Sequence, residues 1–454
     1  GSDNRAIADF DCSNPRFNQL FAVVAHTHRC NQFGLPADCN GRGERRGWLF
    51  DGTLSLPIGL RLFDAHRFYR KWCEDILAVF DPTTGEMLSS VAPPWGRGRD
   101  QNLAWMGALV HVPEALDTLC ADRALLRKAW PRMLQWLDSL WEQCEQALYL
   151  PHCKAGTPPD FVVYAGDWLA LESPDHEQIT NAHWLLLNIR GAEIAERLGD
   201  GAAVRLRDRV TAIREAYHER FYASPPPDYT IKLAGHCEGW YGAFAETSQL
   251  GQALPLLLDV PPEPLRPLVL RNLLHDLTEA RGTPQWTTGL HTTFLVRLLA
   301  REAQHALLYT LFDRAEYPGY GYMLEHGATT IWERWKYSVG QEMNSHCHSG
   351  FLGPCLWLIT GLAGLTHGSG RETARTFHVQ PWIDPRLDHL RYQEETLWGR
   401  VSVKWERRAG GVHLTVELPP NCDGTLDLPE AVPAVRSRSL PPGSRTELDL
   451  DLAP

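Results

Sequence analysis

The sequence lacks the features that mark proteins acting on nucleic acids or membranes. It has no run of lysine or arginine, and its 454 residues carry a net charge of −11 from 44 basic and 55 acidic side chains. Phosphate backbones and anionic lipids repel such a chain, so neither is an expected partner. The most apolar stretch, Phe351 to Leu365, is interrupted by glycine and proline and is shorter than the ~20 residues that a membrane span needs.

Paired-cysteine motifs are also missing. Eleven cysteines are scattered singly, with no CxxC pair, a pattern typical of reduced thiols rather than of a disulfide framework. No signal peptide is visible, although Gly1-Ser2 resembles a cloning remnant and could stand where a leader was trimmed. These observations predict a cytoplasmic protein.

Motifs for cofactors and metals are absent too. There is no glycine-rich phosphate loop and no G-x-S-x-G elbow. The pairs His26/His28 and His346/His348 are spaced i, i+2, and such residues point apart on a helix, so metal chelation is not expected. The sequence predicts neither a cofactor nor a metal ion.

What the sequence does contain is tryptophan and a helical rhythm. The chain has 17 tryptophans, more than its 13 tyrosines or its 15 phenylalanines. Its overall composition, 44% hydrophobic and 22% charged residues, is typical of a globular protein. Most of these rings are expected to pack in the core, and some to stack on sugars. Apolar residues recur at helical spacing through eleven or twelve segments, one of them read as a single helix from Leu56 to Phe80. Short links alternate with long loops, which predicts hairpins closing into an α/α toroid, with the loops gathered at one end.

The last eighty residues change character. Residues 400–407 and 412–418 alternate apolar and polar around Ala409-Gly410-Gly411, the pattern of a β-hairpin. With Thr376 to Gln380 and the proline-punctuated end, they predict a small antiparallel β-sandwich. The expected division is a helical domain over 1–370 and a β-sandwich domain over 371–454.

One loop concentrates chemistry. From Gly34 to Gly52 it carries Asp38, Arg42, Glu44, Trp48 and Asp51 among glycines that prevent a regular helix or strand. Carboxylates, arginine and tryptophan are the inventory of a sugar-hydrolysing site. The alternative is a solvated loop tied by surface ion pairs.

Three further loops repeat the pairing of a carboxylate with tryptophan. They hold Trp95 with Asp100, Asp167 with Trp168, and Trp332-Glu333-Arg334-Trp335. Four such loops indicate a pocket assembled at one mouth, although Asp100 and Asp167 would each also serve as a helix cap. Glu333, between two tryptophans, is the least like a surface charge, and burial would raise the pKa of its carboxyl toward that of an acid/base catalyst.

These residues resemble the inverting α-L-rhamnosidases with an (α/α)6 catalytic barrel. The family motif is approximately D-x-P-x-D-C-P-x-R-D-E-R-x-G-W-x-G-D, and this chain reads G-L-P-A-D-C-N-G-R-G-E-R-R-G-W-L-F-D over 34–51. A second motif follows at 322–335, Y-M-L-E-H-G-A-T-T-I-W-E-R-W, and the segments 342–348, 68–72 and 10–21 are also similar. The resemblance implies removal of terminal α-L-rhamnose by an inverting hydrolysis.

The resemblance also implies residue roles. Glu44 would be the general acid and Glu333 the base that activates water. The sugar would be held by Asp38, Arg42, Trp48, Asp51, Trp95, Trp168 and His348, with Asp167 beside them. Trp332 is a further predicted substrate-binding residue. Asp100 matches less of the motif, because the family usually shows G-W-G-D where this chain has R-G-R-D.

The chain departs from the family pattern at three places. Gly43 replaces an acid, Phe50 replaces glycine, and Asn40 replaces proline. These changes leave two alternatives open: another α/α-toroid glycosidase acting on a different or unusual glycosylated metabolite, or a repurposed toroid that binds sugar without hydrolysis. Neither the preferred aglycone nor the oligomeric state follows from the sequence.

Overall fold

The computed structural model describes residues 2, 4–40, 44–94, 102–149, 166–223, 240–241, 248–368, 373–428 and 437–451. Its α-helices are α1 (Pro15–Cys30), α2 (Leu49–Leu62), α3 (His66–Val79), α4 (Leu103–Met106), α5 (Ala108–Cys120), α6 (Arg123–Trp141), α7 (His176–Leu198), α8 (Ala202–Phe221), α9 (Gln249–Leu257), α10 (Arg266–Thr278), α11 (Thr292–Arg301), α12 (His305–Asp313) and α13 (Tyr320–Glu325). Gly350–Leu356 is a 3₁₀ helix that continues as the π-helical turn Leu358–Leu362. Shorter 3₁₀ helices span Gly340–Met343 and Thr373–Arg375.

Six of these elements close into an inner ring. Around it, α2, α5, α7, α9, α11 and the 350–362 segment each contact the next, and the last contacts the first. The outer layer is formed by α1, α3, α6, α8, α10 and α12, each packed on an inner neighbour. Inner helices such as α2 and α9 are buried on nearly every face, because apolar residues surround them rather than forming one stripe. This closed ring of hairpins confirms the predicted toroid.

The long loops all lead from an outer helix to the N-terminus of the next inner helix. The opposite connections are short: Ala121-Asp122 joins α5 to α6, and Gly199 to Gly201 joins α7 to α8. Gly199 ends α7 in the left-handed conformation (φ 73°), which glycine adopts without steric cost. The parts of these loops that the structure describes therefore gather at one end of the ring.

The predicted single helix from Leu56 to Phe80 is wrong. Helix α2 already begins at Leu49, and Phe63 is extended (φ −137°, ψ 147°) before α3 starts at His66. The break is held by the N-terminal segment, since Ile7 N–H donates to the Leu62 carbonyl at 2.9 Å and Asp64 N–H donates to the Arg5 carbonyl at 2.9 Å. These partners are distant in sequence, so local periodicity does not reveal the break.

The C-terminal part is built on two sheets. The strands of the described chain are β1 (Ala8–Cys12), β2 (Phe80–Asp81), β3 (Glu86–Met87), β4 (Tyr222–Ala223), β5 (Trp240–Tyr241), β6 (Leu365–His367), β7 (Thr376–Val379), β8 (His389–Thr396), β9 (Gly399–Arg408), β10 (Gly411–Glu417), β11 (Asp423–Asp427), β12 (Ser437–Leu440) and β13 (Arg445–Asp451). Of these, β2 with β3 and β4 with β5 form two-stranded sheets between helices, and the other nine strands form the two large sheets. One sheet has the order β1-β8-β9-β10-β13 and the other β12-β11-β7-β6. The predicted hairpin is confirmed as β9 and β10, with Val412 opposite Arg407. All neighbours are antiparallel except β7 and β11.

The N-terminal strand belongs to the C-terminal sheet. Strand β1 pairs antiparallel with β8, placing Phe10 opposite Tyr392. Phe10, Tyr392 and the barrel residue Phe17 are all part of one continuous buried cluster. The barrel and the sheet therefore share a core.

No helix among the described residues is long and apolar enough to cross a membrane. Each of the nine described cysteines is a free thiol.

Candidate active site

Three loops, those before α2, α7 and the 350–362 segment, bring the predicted residues together at the N-terminal ends of the inner helices. The prediction of an irregular loop from Gly34 to Gly52 is wrong at its end, because α2 begins at Leu49 and Asp51 lies in its first turn. The structure assembles one cluster from Asp38, Glu44, Trp48, Asp51, Asp167, Trp168, Glu333 and His348. Backbone hydrogen bonds connect these segments: Ser349 N–H donates to the Asp38 carbonyl at 2.8 Å, and His348 N–H donates to the Ile331 carbonyl at 2.9 Å. The predicted residues Arg42, Trp95 and Asp100 lie outside the described residues.

Glu44 stands at the edge of this cluster. Its Oε1 accepts a hydrogen bond from the Trp48 indole N–H at 3.0 Å and lies 3.7 Å from the Arg46 guanidinium, with 16% of the side chain exposed. Its Oε2 is 3.7 Å from the Cys39 Sγ. Arg45, directly after Glu44, has a left-handed backbone (φ 53°), an unusual conformation for a residue with a Cβ. Glu44 is thus oriented by an indole yet still reaches solvent, as a group that meets a substrate must.

Glu333 is the buried carboxyl of the pair. Only 3% of its side chain is exposed. Its Oε1 accepts hydrogen bonds from the Trp168 indole at 3.1 Å and the Asn344 amide at 3.3 Å, and His348 Nε2 lies 3.9 Å from the same oxygen. The other oxygen, Oε2, is buried and bonds to no residue that the structure describes. One oxygen is therefore held in place while the other remains available for chemistry.

Two further carboxyls share the floor of the cluster. Asp38 accepts from the Arg46 backbone N–H at 3.2 Å and from the Cys39 thiol at 3.1 Å. Burial, and next the negative charge of Glu44, raise the pKa of Asp38 to about 7. Asp51 lies 3.3 Å from His348 Nε2, and burial followed by the charge of Asp38 raises its pKa well above the usual range. Crowded, desolvated carboxyls compete for protons in this way.

Asp167 fixes one loop to another. Its Oδ2 accepts from Gly289 N–H at 2.8 Å, and its Oδ1 accepts from His291 N–H at 2.9 Å and lies 3.0 Å from His291 Nδ1. Leu290 N–H donates to the Trp168 carbonyl at 3.0 Å. Both oxygens of Asp167 are engaged, so the structure supports a positioning role in which this carboxylate orients Trp168 toward Glu333. A direct sugar contact by Asp167 stays a prediction.

Trp332 lies beside Glu333 in sequence but packs away from solvent. Its ring is 3% exposed, and its centroid lies 5.3 Å from Tyr337 and 5.6 Å from His346. Little ring surface is left for a sugar, and the predicted sugar contact is not supported by a described polar contact. The partly exposed Trp48 and Trp168 present more surface.

Sequence reasoning missed Asn344 and Arg46. Asn344 donates to Glu333 from a left-handed backbone (φ 64°), a conformation that asparagine tolerates better than most residues. Arg46 approaches Glu44 and binds Asp38 through its backbone. Both residues lie in the segments that resemble the family, 34–51 and 342–348, and this position in the sequence is what could have identified them.

The Phe50 departure does not enter the cluster. Its ring is 2% exposed and packs at 4.7 Å from His291 and 5.0 Å from Trp105, centroid to centroid. Phe50 therefore packs in the core beneath the carboxyl cluster and does not narrow its entrance. The positions of Gly41 to Gly43 lie outside the described residues.

One group of side chains has the composition of a metal site. Ligand atoms of Asp38, Cys39 and Glu44 lie within 4.8 Å of one another. A cation here would need the Cys39 thiolate, whereas burial and Asp38 raise the pKa of this thiol. The donor set therefore fits hydrogen bonding better than coordination, and the absence of a metal ion stays a prediction.

Comparison with known proteins follows the two structural parts. Residues 5–362 match the family described as bacterial alpha-L-rhamnosidase 6 hairpin glycosidase domain. Residues 369–450 match the bacterial alpha-L-rhamnosidase C-terminal domain.

Individual relatives agree. An alpha-L-rhamnosidase of Streptomyces avermitilis is 28% identical over 429 residues, which cover 93% of this chain and 38% of the relative. One from Formosa agariphila is 23% identical over 449 residues, covering 95% and 45%. The Streptomyces avermitilis enzyme, solved in complex with L-rhamnose, superposes with a TM-score of 0.84 at 25% identity over 98% of this chain and 42% of that one. The Dictyoglumus thermophilum enzyme superposes at 0.87 with 23% identity over 99% and 51%. This chain spans less than half the length of the curated relatives it matches.

Proposed function

Because this chain belongs to the bacterial α-L-rhamnosidase six-hairpin glycosidase family, we propose that it hydrolyses terminal α-L-rhamnosides with inversion. The observation that carries the proposal is the pair of unlike carboxyls: Glu44 at the solvent edge, and Glu333 buried with Oε2 unbonded among the described residues. Inverting glycosidases need one such group on each side of the sugar.

The proposed steps balance protons. Glu44 transfers a proton to the glycosidic oxygen as the bond from that oxygen to the anomeric carbon breaks. Oε2 of Glu333 takes a proton from a water whose oxygen bonds to the anomeric carbon from the opposite face. The products are rhamnose of inverted configuration and a free alcohol. Exchange with solvent then reprotonates Glu44 and deprotonates Glu333.

The surrounding residues prepare these two groups. Trp168 and Asn344 hold Oε1 of Glu333, so Oε2 has a defined direction. Trp48 does the same for Glu44. Asp38 and Asp51, whose pKa values are raised, supply protonated carboxyls that donate to sugar hydroxyls at moderate pH. The remaining predicted contacts, Arg42, Trp95 and Asp100, complete the proposed binding set.

The first test is the stereochemistry of hydrolysis. Proton NMR of an aryl α-L-rhamnoside during turnover should show β-L-rhamnose as the first-formed anomer, followed by slow mutarotation. First appearance of the α-anomer would contradict inversion. Release of another sugar from a panel of aryl glycosides would favour a different toroid glycosidase. Rhamnose binding by calorimetry without turnover would favour a repurposed sugar-binding protein.

The second test separates the two carboxyls. Glu44→Gln should reduce kcat/KM on alkyl rhamnosides by about 10²–10⁴, and by less on aryl rhamnosides whose leaving group needs no proton. Glu333→Gln should be equally inactive on both, because water activation does not depend on the leaving group. Glu342→Gln, an exposed carboxyl in the same loop as Glu333, is the matched control. Normal turnover by Glu44→Gln on alkyl rhamnosides would remove the proposed acid role.

Two further assignments belong to this proposal. The proposed division is a catalytic domain over 1–370 and a β-sandwich domain over 371–454, which the two family matches support; strands β1 and β6 of the first part complete the sheets of the second. The free cysteines support a reducing cytoplasmic location.

A further inference from the structure

A second cavity occupies the lumen of the helical ring. Its volume is about 420 Å³, and its walls come from the inner helices α2, α5, α7 and α11 and the 350–362 segment. The walls are largely apolar, with Leu54, Ala115, Leu186, Phe294 and Leu356 among the lining side chains. This size and character are those of small-molecule sites.

The cavity is separate from the carboxyl cluster. Phe50 and Phe294 line it and pack on the other side against His291, at 4.7 Å and 5.6 Å between ring centroids. His291 in turn binds Asp167 beneath Trp168. Arg61, in the last turn of α2, and His367, on strand β6, also line the cavity. They lie at the end of the ring opposite the catalytic loops, which precede the inner helices. A floor of aromatic rings therefore divides the two spaces.

Arg297 projects into this cavity without a partner. It is an exposed residue that lines the cavity, and it forms no hydrogen bond or ion pair with any residue described by the structure. Desolvation, with a smaller contribution from Arg190, lowers the pKa of its guanidinium to about 10, while the charges of Glu114 and Glu193 act in the opposite direction. Neither carboxylate forms an ion pair with Arg297, so its guanidinium fork is available to a ligand.

The other charged residues of the lining are already paired. Arg190 lies 2.7 Å from Glu193 and 3.7 Å from Glu114, and Arg61 pairs with Glu394. Glu114 also faces Arg197 at 3.7 Å. Burial lowers the pKa of His111 to about 3, so this ring is neutral. Among the arginines and carboxylates of the lining that the structure describes, Arg297 is thus the one without an ion pair.

We propose that the lumenal cavity binds a small amphiphilic carboxylate, with its carboxyl group on Arg297 and its apolar body against the aliphatic and aromatic walls. A planar carboxylate matches the guanidinium fork in a bidentate pair. The apolar lining, in turn, disfavours a ligand that is charged throughout. This site does not depend on the proposed hydrolysis, since neither catalytic carboxyl lines it.

The experiment is calorimetric titration of the intact chain with octanoate, alongside hexanoate, decanoate and octylamine. Octanoate should bind at a single site and raise Tm, and octylamine should not bind. Arg297→Gln should weaken octanoate binding by about tenfold to a hundredfold, the value of a charge-assisted hydrogen bond. The Tm of ligand-free Arg297→Gln should not fall, because the native guanidinium has no partner to lose.

Two variants locate the site. Ala115→Phe fills the cavity and leaves Arg297 in place, and this variant should abolish octanoate binding. Arg301→Gln is the matched control, because it lies one turn along α11 and its guanidinium already pairs with Asp259 at 3.2 Å; its octanoate affinity should be unchanged. The proposal is overturned if none of the carboxylates binds, if Arg297→Gln binds octanoate normally, or if saturating rhamnose competes with octanoate.

Discussion

At the residue scale, the main feature of the site is that each of the two proposed catalytic carboxyls accepts a hydrogen bond from an indole N–H group. Trp48 binds Glu44 and Trp168 binds Glu333. An indole donor orients a carboxylate without adding the positive charge that would hold its proton off. The tryptophans predicted to stack on the sugar therefore have a second function, in aiming the carboxyls.

Trp168→Phe tests this function, because it keeps an aromatic ring and removes only the donor. Loss of a hydrogen bond to a charged group should reduce kcat by about 10–100-fold, with a smaller change in KM. Trp130→Phe is the matched control, since it removes an indole bond to Asp200 at 2.9 Å on the outer layer. A rise in KM with an unchanged kcat would indicate that Trp168 serves only to bind sugar.

Asp38 should make stability depend on pH. Its pKa is raised from 3.8 to about 7, so between those values the folded protein keeps a proton that the unfolded chain has released. Stability therefore falls as pH rises through this window, and above about pH 7 the loss is complete. Asp38→Asn should remove about 4 kcal/mol of this decline.

Urea denaturation of both proteins across that pH range measures the difference. The stability of Asp38→Asn relative to the native chain should grow with pH and level off near pH 7. Asp208→Asn, on an exposed position of α8, should show no such trend. A constant difference at all pH values would mean that Asp38 is not titrating in this window.

At the scale of elements, close backbone contacts aim the catalytic loops. The loop before α11 crosses the loop before α7, where Leu290 N–H donates to the Trp168 carbonyl. A Cβ at Gly289 would collide with that carbonyl oxygen, so glycine is required at the crossing. Leu169, next to Trp168, has a left-handed backbone (φ 58°), strain of the kind that is concentrated at functional sites.

Gly289→Ala should separate these two loops. We expect a destabilisation of about 1–3 kcal/mol, typical of overpacking, and a fall in kcat as Trp168 moves off Glu333. Calorimetry and steady-state kinetics measure the two effects. Gly201→Ala, where an added Cβ meets open space, should leave activity unchanged and Tm equal or higher. Full activity in Gly289→Ala would show that the crossing is not needed to aim Trp168.

For the whole molecule, the central feature is the junction between ring and sheet. Strand β1 precedes the first barrel helix yet pairs with β8. Arg61 of α2 forms a buried ion pair with Glu394 of β8, whose carboxylate also accepts from the Tyr392 hydroxyl at 2.6 Å. The shared core predicts that the two parts unfold together.

Arg61→Met tests this junction. Leaving Glu394 buried without its cation should cost about 3–5 kcal/mol, whereas Arg61→Met with Glu394→Leu should cost far less, because no charge is stranded. Arg391→Met is the matched control: its pair with Asp9, at 3.0 Å, joins β8 to β1, is about half exposed and should contribute only about 0–1 kcal/mol. Urea unfolding followed by both tryptophan fluorescence and circular dichroism measures the loss. Separate transitions for ring and sheet would contradict the shared core.

The sequence by itself determined the helical hairpins, the β-hairpin and most of the candidate site. Apolar spacing specifies which face of a helix is buried, and glycine with carboxylate and tryptophan marks loops that cannot be regular structure. Asp38, Glu44, Asp51 and Glu333 were predicted from the composition of these loops and His348 from the resemblance to the family, and the structure places the five together. Only the tertiary structure decided the rest, because it depends on partners distant in the chain. The backbone N–H of Ile7 binds the last residue of α2, and the N–H groups of Gly289 and His291 bind the carboxylate of Asp167. Strand β1 joins a sheet whose other strands are all C-terminal. The lumenal cavity with its lone Arg297 is of the same kind, since a cavity is a property of the closed ring and not of any one helix.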